Sequence, residues 1–187
     1  SHIGRLDLLD RKFHDAKLDM VGLEEHRWIG DSVTIISREH YVFILAPAAP
    51  GGHQGVGLAV RHRHFGSLYA LHSYSPRVLR ARFFGRSRSL SIIVGYAPTN
   101  SLEETDANRQ TFYDTMSKAH NDIRHNGGSQ DVKIVLMDAN AETGNNPQVA
   151  PGLLGPHGAP TQNQNPELTP NGSRFLAFCI EHNLVIG

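Results

Sequence analysis

Three stretches of the chain pass from apolar to polar within one or two residues: "VGLEEHRW" at 21–28, "IIVGYAPTN" at 92–100 and "IVLMDANAE" at 134–142. Each reads as a strand that carries polar side chains to its end. The first delivers Glu24 and Glu25, the second Tyr96 and Asn100, the third Asp138 and Asn140. In α/β proteins, ligand sites gather beyond strand ends. A carboxylate, a phenol and an Asp/Asn pair suit a hard cation such as Mg²⁺, which prefers oxygen donors and keeps several waters. A phosphate ester would complete such a shell. Any one acid after a strand is also an ordinary turn residue, so the set carries the reading and no single member does.

The elements that must position these groups are legible around them. Leu6, Leu9, Phe13 and Ala16 recur at helical spacing. "MVGLEE", "VTIIS", "YVFILA" and "GVGLAV" read as strands, with "APAAPGGHQ" as a loop before the last. "PRVLRARFF" (76–84) and "LSIIVGY" (90–96) form two strands around a tight "GRSRS" turn. Ser101 and Glu104 make a capping box for a helix whose face is Phe112, Met116, Ala119 and Ile123 and which Gly127-Gly128 ends. "DVKIVLM" is a strand, 145–173 is an aperiodic Asn-, Pro- and Gly-rich segment, and Asn171 caps a last helix before "LVIG". Strand groups alternating with helices predict an α/β protein with mixed sheets layered by helices.

Composition narrows the function classes. The chain has 187 residues, 18 basic and 18 acidic, so global charge gives no argument for a polyanionic partner. One cysteine, Cys179, rules out an internal disulfide and a Cys-rich metal site; its apolar neighbours predict core packing. Mean hydropathy is −0.34, and no apolar run is long enough to span a bilayer, so membrane insertion is not expected. The first residues do not read as a secretory signal.

Taken in order, the pieces resemble the endonuclease/exonuclease/phosphatase family, which includes DNase I, apurinic/apyrimidinic endonucleases and non-LTR retrotransposon endonuclease domains, the last most closely. "LDMVGLEEHRW" is similar to the strand bearing the family's metal-binding Glu, here Glu25. "GGHQGVGLAV" resembles its glycine-rich lead into a core strand, "IIVGYAPTN" its Tyr-x-Pro segment, and "IVLMDANAETG" its Asp-x-Asn motif. "GLLGPHG" and "LTPNGSRFLAFCIEHNLVI" resemble the loop and helix that follow. The resemblance runs from about residue 6 to the end. It implies a DNase I-like α/β sandwich of mixed β-sheets flanked by helices. It also implies Mg²⁺ (or Mn²⁺) at Glu25, a phosphate-contacting Tyr96 and Asn140, a water-directing Asp138, DNA as substrate, and an intracellular, nuclear location for a retrotransposon-type enzyme.

Two parts of the family pattern have no counterpart here. The opening strand with its Asn is one; the C-terminal strands with a further Asp and an Asp-His pair are the other. None of the twelve histidines lies in a matching context, and His157 and His182 fall in other segments. One domain over 1–187, incomplete at both ends, is therefore expected. Its unpaired edges would invite a protein partner or homo-oligomer, and its hydrolytic rate would suffer. The leading function is a metal-dependent phosphodiester hydrolase of nucleic acid, inactive as this chain if the histidine is indispensable. The alternative is a non-catalytic remnant serving as a binding or structural subunit, and a phosphatase of small phosphoesters or lipids ranks below both.

Arg77, Arg80, Arg82, Arg86 and Arg88 cluster on the 76–95 hairpin. With Asn100, the residues Arg77, Arg80 and Arg82 are candidates for contacting nucleic-acid phosphates. The competing reading is a solvated hairpin face, with Arg80 and Arg82 on one side and Leu79, Ala81 and Phe83 on the other. "RHRHF" (61–65) could place His62 and His64 on one strand face, though without further metal ligands at recognisable spacing. Trp28 reads as a packing residue.

Overall fold

A computed structural model describes residues 2–101, 104–125, 130–143, 153 and 168–186. Gly127-Gly128, His157 and most of the 145–173 segment lie outside the described residues.

Two four-stranded sheets pack face to face. The first contains β1 (Met20–Leu23), β2 (Thr34–Ser37), β3 (Tyr41–Leu45) and β4 (Gly57–Arg61), in the order β1-β4-β3-β2, all antiparallel. Strand β3 is buried along its whole length. The reason is that both of its faces are covered. Tyr41, Phe43 and Leu45 pack under helix α1 (His2–Asp15), through Leu6, Leu9 and Phe13. Ile44, with Leu58 and Val60 of β4, faces the second sheet. A continuous apolar run is the signature of a strand covered on both sides. Trp28 joins the α1 cluster as a packing residue.

The second sheet has β5 (Leu68–Ser75), β6 (Val78–Phe83), β7 (Leu90–Tyr96) and β8 (Val132–Asp138) in that order. Its first three strands are antiparallel, and β8 joins β7 in parallel after the crossover helix α3 (Asp106–His125). Leu79, Ala81, Phe83, Ile92 and Val94 meet the first sheet. On the other face, Val78 and Ile93 lie under Phe112, Met116, Ala119 and Ile123 of α3 and under Leu176, Phe178 and Cys179 of α4 (Pro170–Glu181). Each such large apolar side chain contributes about 1.5–3 kcal/mol on full burial. The molecule is thus an α/β/β/α sandwich, and Cys179 is a core residue, 2% exposed.

Four local expectations change. Strand β5 was not foreseen, because "LYALHSYS" interleaves Ser and His with its apolar residues and is only half-buried at the sheet edge. His62 and His64 fall in a four-residue helix, α2 (His62–Phe65), instead of a strand. Helix α3 starts at Asp106, where the Thr105 hydroxyl accepts from the Asn108 N–H at 3.1 Å, so Ser101 is not its cap. Helix α4 is capped by Thr169, which accepts from the Gly172 N–H, and Asn171 sits inside the first turn.

The largest correction concerns Arg80 and Arg82. They do share a face of β6, but that face is roofed by α3 and the two are 7% and 5% exposed. Arg80 donates to the Ala119 carbonyl of α3 at 3.3 Å and lies over the Tyr74 ring. Arg82 pairs with Asp131 at 3.0 Å, both side chains being nearly inaccessible, and Ser91 donates to the same Asp131 oxygen. Neither arginine is presented to a phosphate outside. The expected ridge is an internal polar layer.

Among the described residues, β1 and β8 are the end strands of their sheets, and β1 lies over β8. A Cβ added to Gly22 would sit 3.1 Å from the Leu136 Cβ. Val132 and Ile134 of β8 are 49% and 40% exposed there. Among the described residues, no helix is long and apolar enough to cross a membrane.

Candidate functional site

Glu25 stands just beyond β1 in a loop that the first sheet clamps. The amides of His26 and Arg27 donate to the carbonyls of Gly55 and Gln54 at 3.4 and 3.1 Å, and the Ala48 amide donates to Trp28. Gly55 has φ +99°, and a Cβ there would lie 2.7 Å from the His26 ring. Only glycine allows that approach. Glu25 itself has φ +53° and Arg27 φ +58°, backbone that non-glycine residues adopt at a cost of about 1–3 kcal/mol. The clamp holds this strained loop so that the carboxylate projects outward.

The second sheet supplies the other groups. Tyr96 and Asp138 are register partners on the last rung of the β7–β8 pair, and the Ala97 amide continues the ladder to the Asp138 carbonyl at 2.9 Å. The Tyr96 hydroxyl donates to Glu25 Oε1, linking the two sheets. Beyond β8 the chain turns sharply: Asn140 has φ +43° and its amide donates to Asp138 Oδ1 at 3.0 Å. Asn140 Nδ2 donates to the Ala97 carbonyl at 2.9 Å, which fixes the turn against the end of β7. Asn100 Nδ2 donates to the Asn140 carbonyl at 2.6 Å.

Arg77 is placed behind Tyr96. Its guanidinium lies 5.2 Å from the Tyr96 ring centroid, donates to the Tyr96 carbonyl at 3.2 Å and pairs with Glu104 at 2.9 Å. Glu25, Tyr96, Asp138, Asn140, Asn100 and Arg77 are therefore brought to one end of the sandwich. Arg80 and Arg82 are not.

Asn171 belongs with this group, although its place in the sequence suggests only a helix cap. It is fully buried, and its Nδ2 donates to the carbonyls of Pro98 and of Asn140, the latter at 3.2 Å. It ties α4 to both strand-end turns. Gly172 makes the approach possible, because a Cβ there would lie 2.1 Å from the Glu142 carbonyl oxygen. The "PNG" sequence carries a signal for this: an Asn-Gly pair inside a helix's first turn, where neither residue is a good helix former.

Charge at the site is uneven. Burial, and next the negative charge of Asp138, hold the Glu24 carboxyl above its ordinary 4.5. Burial, followed by the hydrogen bond to Glu25, keeps the Tyr96 phenol above its ordinary 10.0, so at neutral pH it is a proton-bearing donor. Glu25 is half-exposed, with Arg27 at 3.7 Å as its cationic neighbour. Among the described residues, no three His, Cys, Asp or Glu side chains converge tightly enough to enclose a metal ion.

No protein-family profile matches the chain. In sequence it is similar to Craniofacial development protein 2 of Bos taurus, at 28% identity over 183 residues covering 98% of this chain and 28% of that protein. The same protein from Tragulus javanicus matches at 28% identity, with 98% and 29% covered. This chain thus spans less than a third of those relatives. In structure it is similar to the AP endonuclease LMAP from Leishmania major, with TM-score 0.66, 16% identity, and 94% of this chain and 60% of that one covered. It is also similar to the endonuclease domain of TRAS1, a telomere-specific non-LTR retrotransposon, with TM-score 0.51, 14% identity, and 94% and 65% covered. The two layered sheets flanked by helices are the DNase I-like endonuclease fold.

Proposed function

We propose that the chain is a divalent-metal-dependent hydrolase of nucleic-acid phosphodiesters, acting on DNA as an endonuclease. The observation that carries this reading is the hydrogen bond from Tyr96 to Glu25, made across the two sheets at the end where Asp138 and Asn140 also emerge. That the two solved structures named above are described as endonucleases supports it.

The donor set fits a hard cation held by few protein ligands. Glu25 offers a carboxylate that is open to solvent on one side, and the acids Glu24 and Asp138 near it repel one another, which a cation would relieve. A bound Mg²⁺ would supply charge neutralisation at the phosphate and at the departing oxygen. The remaining roles belong to the chain. Tyr96, kept protonated, exchanges its bond to Glu25 for one to a phosphate oxygen when substrate binds, and the Asn140 side-chain amide, fixed by Ala97, holds the opposite side. Asp138, whose backbone is locked by β8 and whose Oδ1 is held by the Asn140 amide, orients the attacking water and takes its proton.

The test is nicking of supercoiled plasmid by the folded chain in Mg²⁺, with EDTA as control. Metal-dependent nicking that disappears in Asp138→Asn and Glu25→Gln supports the reading. Folded protein that never nicks in any divalent metal refutes an active enzyme. A second reading, a non-catalytic module that docks a partner or another copy, is favoured by the open β1–β8 flank with its exposed Val132 and Ile134. Light scattering during size exclusion separates the two, since a stable monomer counts against the need for a partner.

A further inference from the structure

At the opposite end of the first sheet, where β3 begins and β4 ends, a cavity of about 290 Å³ is lined by His14, Glu39, His40, Arg61, His62 and Arg63. It is independent of the site described above. The His14 and His40 rings stack with centroids 3.7 Å apart and planes 19° from parallel. Arg61 Nη2 lies 3.2 Å from His14 Nδ1. A guanidinium only donates, so that ring nitrogen accepts and the proton of His14 sits on Nε2. His62 Nε2 donates to the Arg38 carbonyl at 2.7 Å.

The neighbouring arginines are matched to acids: Arg38 pairs with Asp7 at 2.8 Å, and Arg63 pairs with Asp19. Arg61 differs. Among the described residues it has no carboxylate within ion-pair distance; it rests over the Tyr41 ring at 5.8 Å and against His14. The acid lining the cavity, Glu39, is 78% exposed and lies 3.8 Å from His40. The buried Asp10 carboxylate behind the cavity is taken up by the His40 and Tyr41 amides, so the concavity itself presents the Arg61 guanidinium, three imidazoles and one solvated acid. The stacked imidazoles present ring faces to each other instead of converging lone pairs, and no metal-holding group is formed among the described residues.

We propose that this cavity is an anion site for a phosphate group, contacted by the Arg61 fork and by imidazole N–H groups. Guanidinium donors in a fixed plane match the oxygens of a phosphate and make charge-assisted bonds to it. The phosphate would come either from a small phosphorylated molecule or from the end of a nucleic-acid strand.

Titrating the full chain with inorganic phosphate, at constant ionic strength and in EDTA, tests the site. The expected result is saturable movement of the His14 and His40 imidazole resonances, with affinity weakened about tenfold or more in Arg61→Gln. Shifts that never saturate, or that are unchanged in Arg61→Gln, overturn the proposal. Because Arg61 packs on Tyr41, that variant is melted alongside the parent. If it does not fold, the exposed His14→Gln replaces it, and unchanged phosphate affinity in that variant is equally fatal. The source is separated by a single-stranded oligonucleotide with and without a 5′-phosphate. A preference for the phosphorylated strand over inorganic phosphate assigns the site to strand ends. Binding of inorganic phosphate alone assigns it to small molecules.

Discussion

Arg82 and Tyr96 stand on adjacent strands of one sheet, yet the protein uses them in opposite ways. Arg82 is the last residue but one of β6, on the face it shares with Arg80, and its charge is closed in with Asp131 and Ser91 at 5% exposure. Tyr96 is the last residue of its strand and lies on the opposite face, with Ile92 and Val94 against the first sheet, where its hydroxyl reaches a carboxylate of that sheet. The residue types gave both a claim to phosphate chemistry. Both are almost inaccessible, at 5% and 7%, and the face each one occupies decides whether it meets an internal acid or the acid of the other sheet. The internal layer contributes to holding the sandwich together, whereas the strand-end layer tolerates strained backbone at Glu25 and Asn140.

The sharpest way to break that contrast is to unpair the inner layer. Arg82→Ala leaves the buried Asp131 without its cationic partner, and removing one partner of such a pair costs about 3–5 kcal/mol. In a chain of this size that lowers Tm by roughly 10 °C or more, readable by calorimetry. A loss below about 1 kcal/mol would mean the layer is wetter than its exposure indicates. Next comes Asn171→Ala, which strips donors from the Pro98 and Asn140 carbonyls and should cost about 1–3 kcal/mol in urea unfolding.

A smaller effect, of opposite sign, is expected at Glu24. Its folded-state carboxyl binds the proton more tightly than the unfolded one, so its favourable contribution exists below pH 4.5 and is lost as pH rises through the elevated folded value. Glu24→Gln should therefore raise Tm slightly at pH 7 in EDTA, with the gain fading as the pH approaches 4.5. A gain that grew on acidification would reverse the assignment. The smallest change belongs to Glu25→Gln. The side chain is half-exposed and an amide oxygen still accepts from Tyr96, so stability should move by less than about 0.5 kcal/mol. A large drop in Tm would show that Glu25 is structural.

The sequence carried the strands and the strand-end chemistry because both are local. Apolar runs such as "YVFIL" and "LSIIVGY" announce buried strands, and the polar residues after them announce where those strands stop. What covers a face is not local. The alternation in "VLRARF" correctly separated Arg80 and Arg82 from Leu79 and Ala81, but nothing within it shows that α3 lies on the arginine side. Asn171 was visible as a cap-forming residue, while its bonds to Pro98 and Asn140 depend on α4 docking against two distant turns. Strand β5 escaped for a third reason: a half-buried edge strand has no need of a strong apolar signal.

The parallel pairing of β7 with β8 has a kinetic consequence. Tyr96 and Asp138 become neighbours only after the intervening chain has formed its crossover and returned, since they are the terminal rung of that pair. The antiparallel β5–β6–β7 meander can zip from its turns, but this rung must wait for a long loop to close. During refolding, the sheets' local hairpins should therefore form before the Tyr96–Glu25 contact exists. The candidate site is among the last things the chain builds, and its appearance would report that the sandwich is complete.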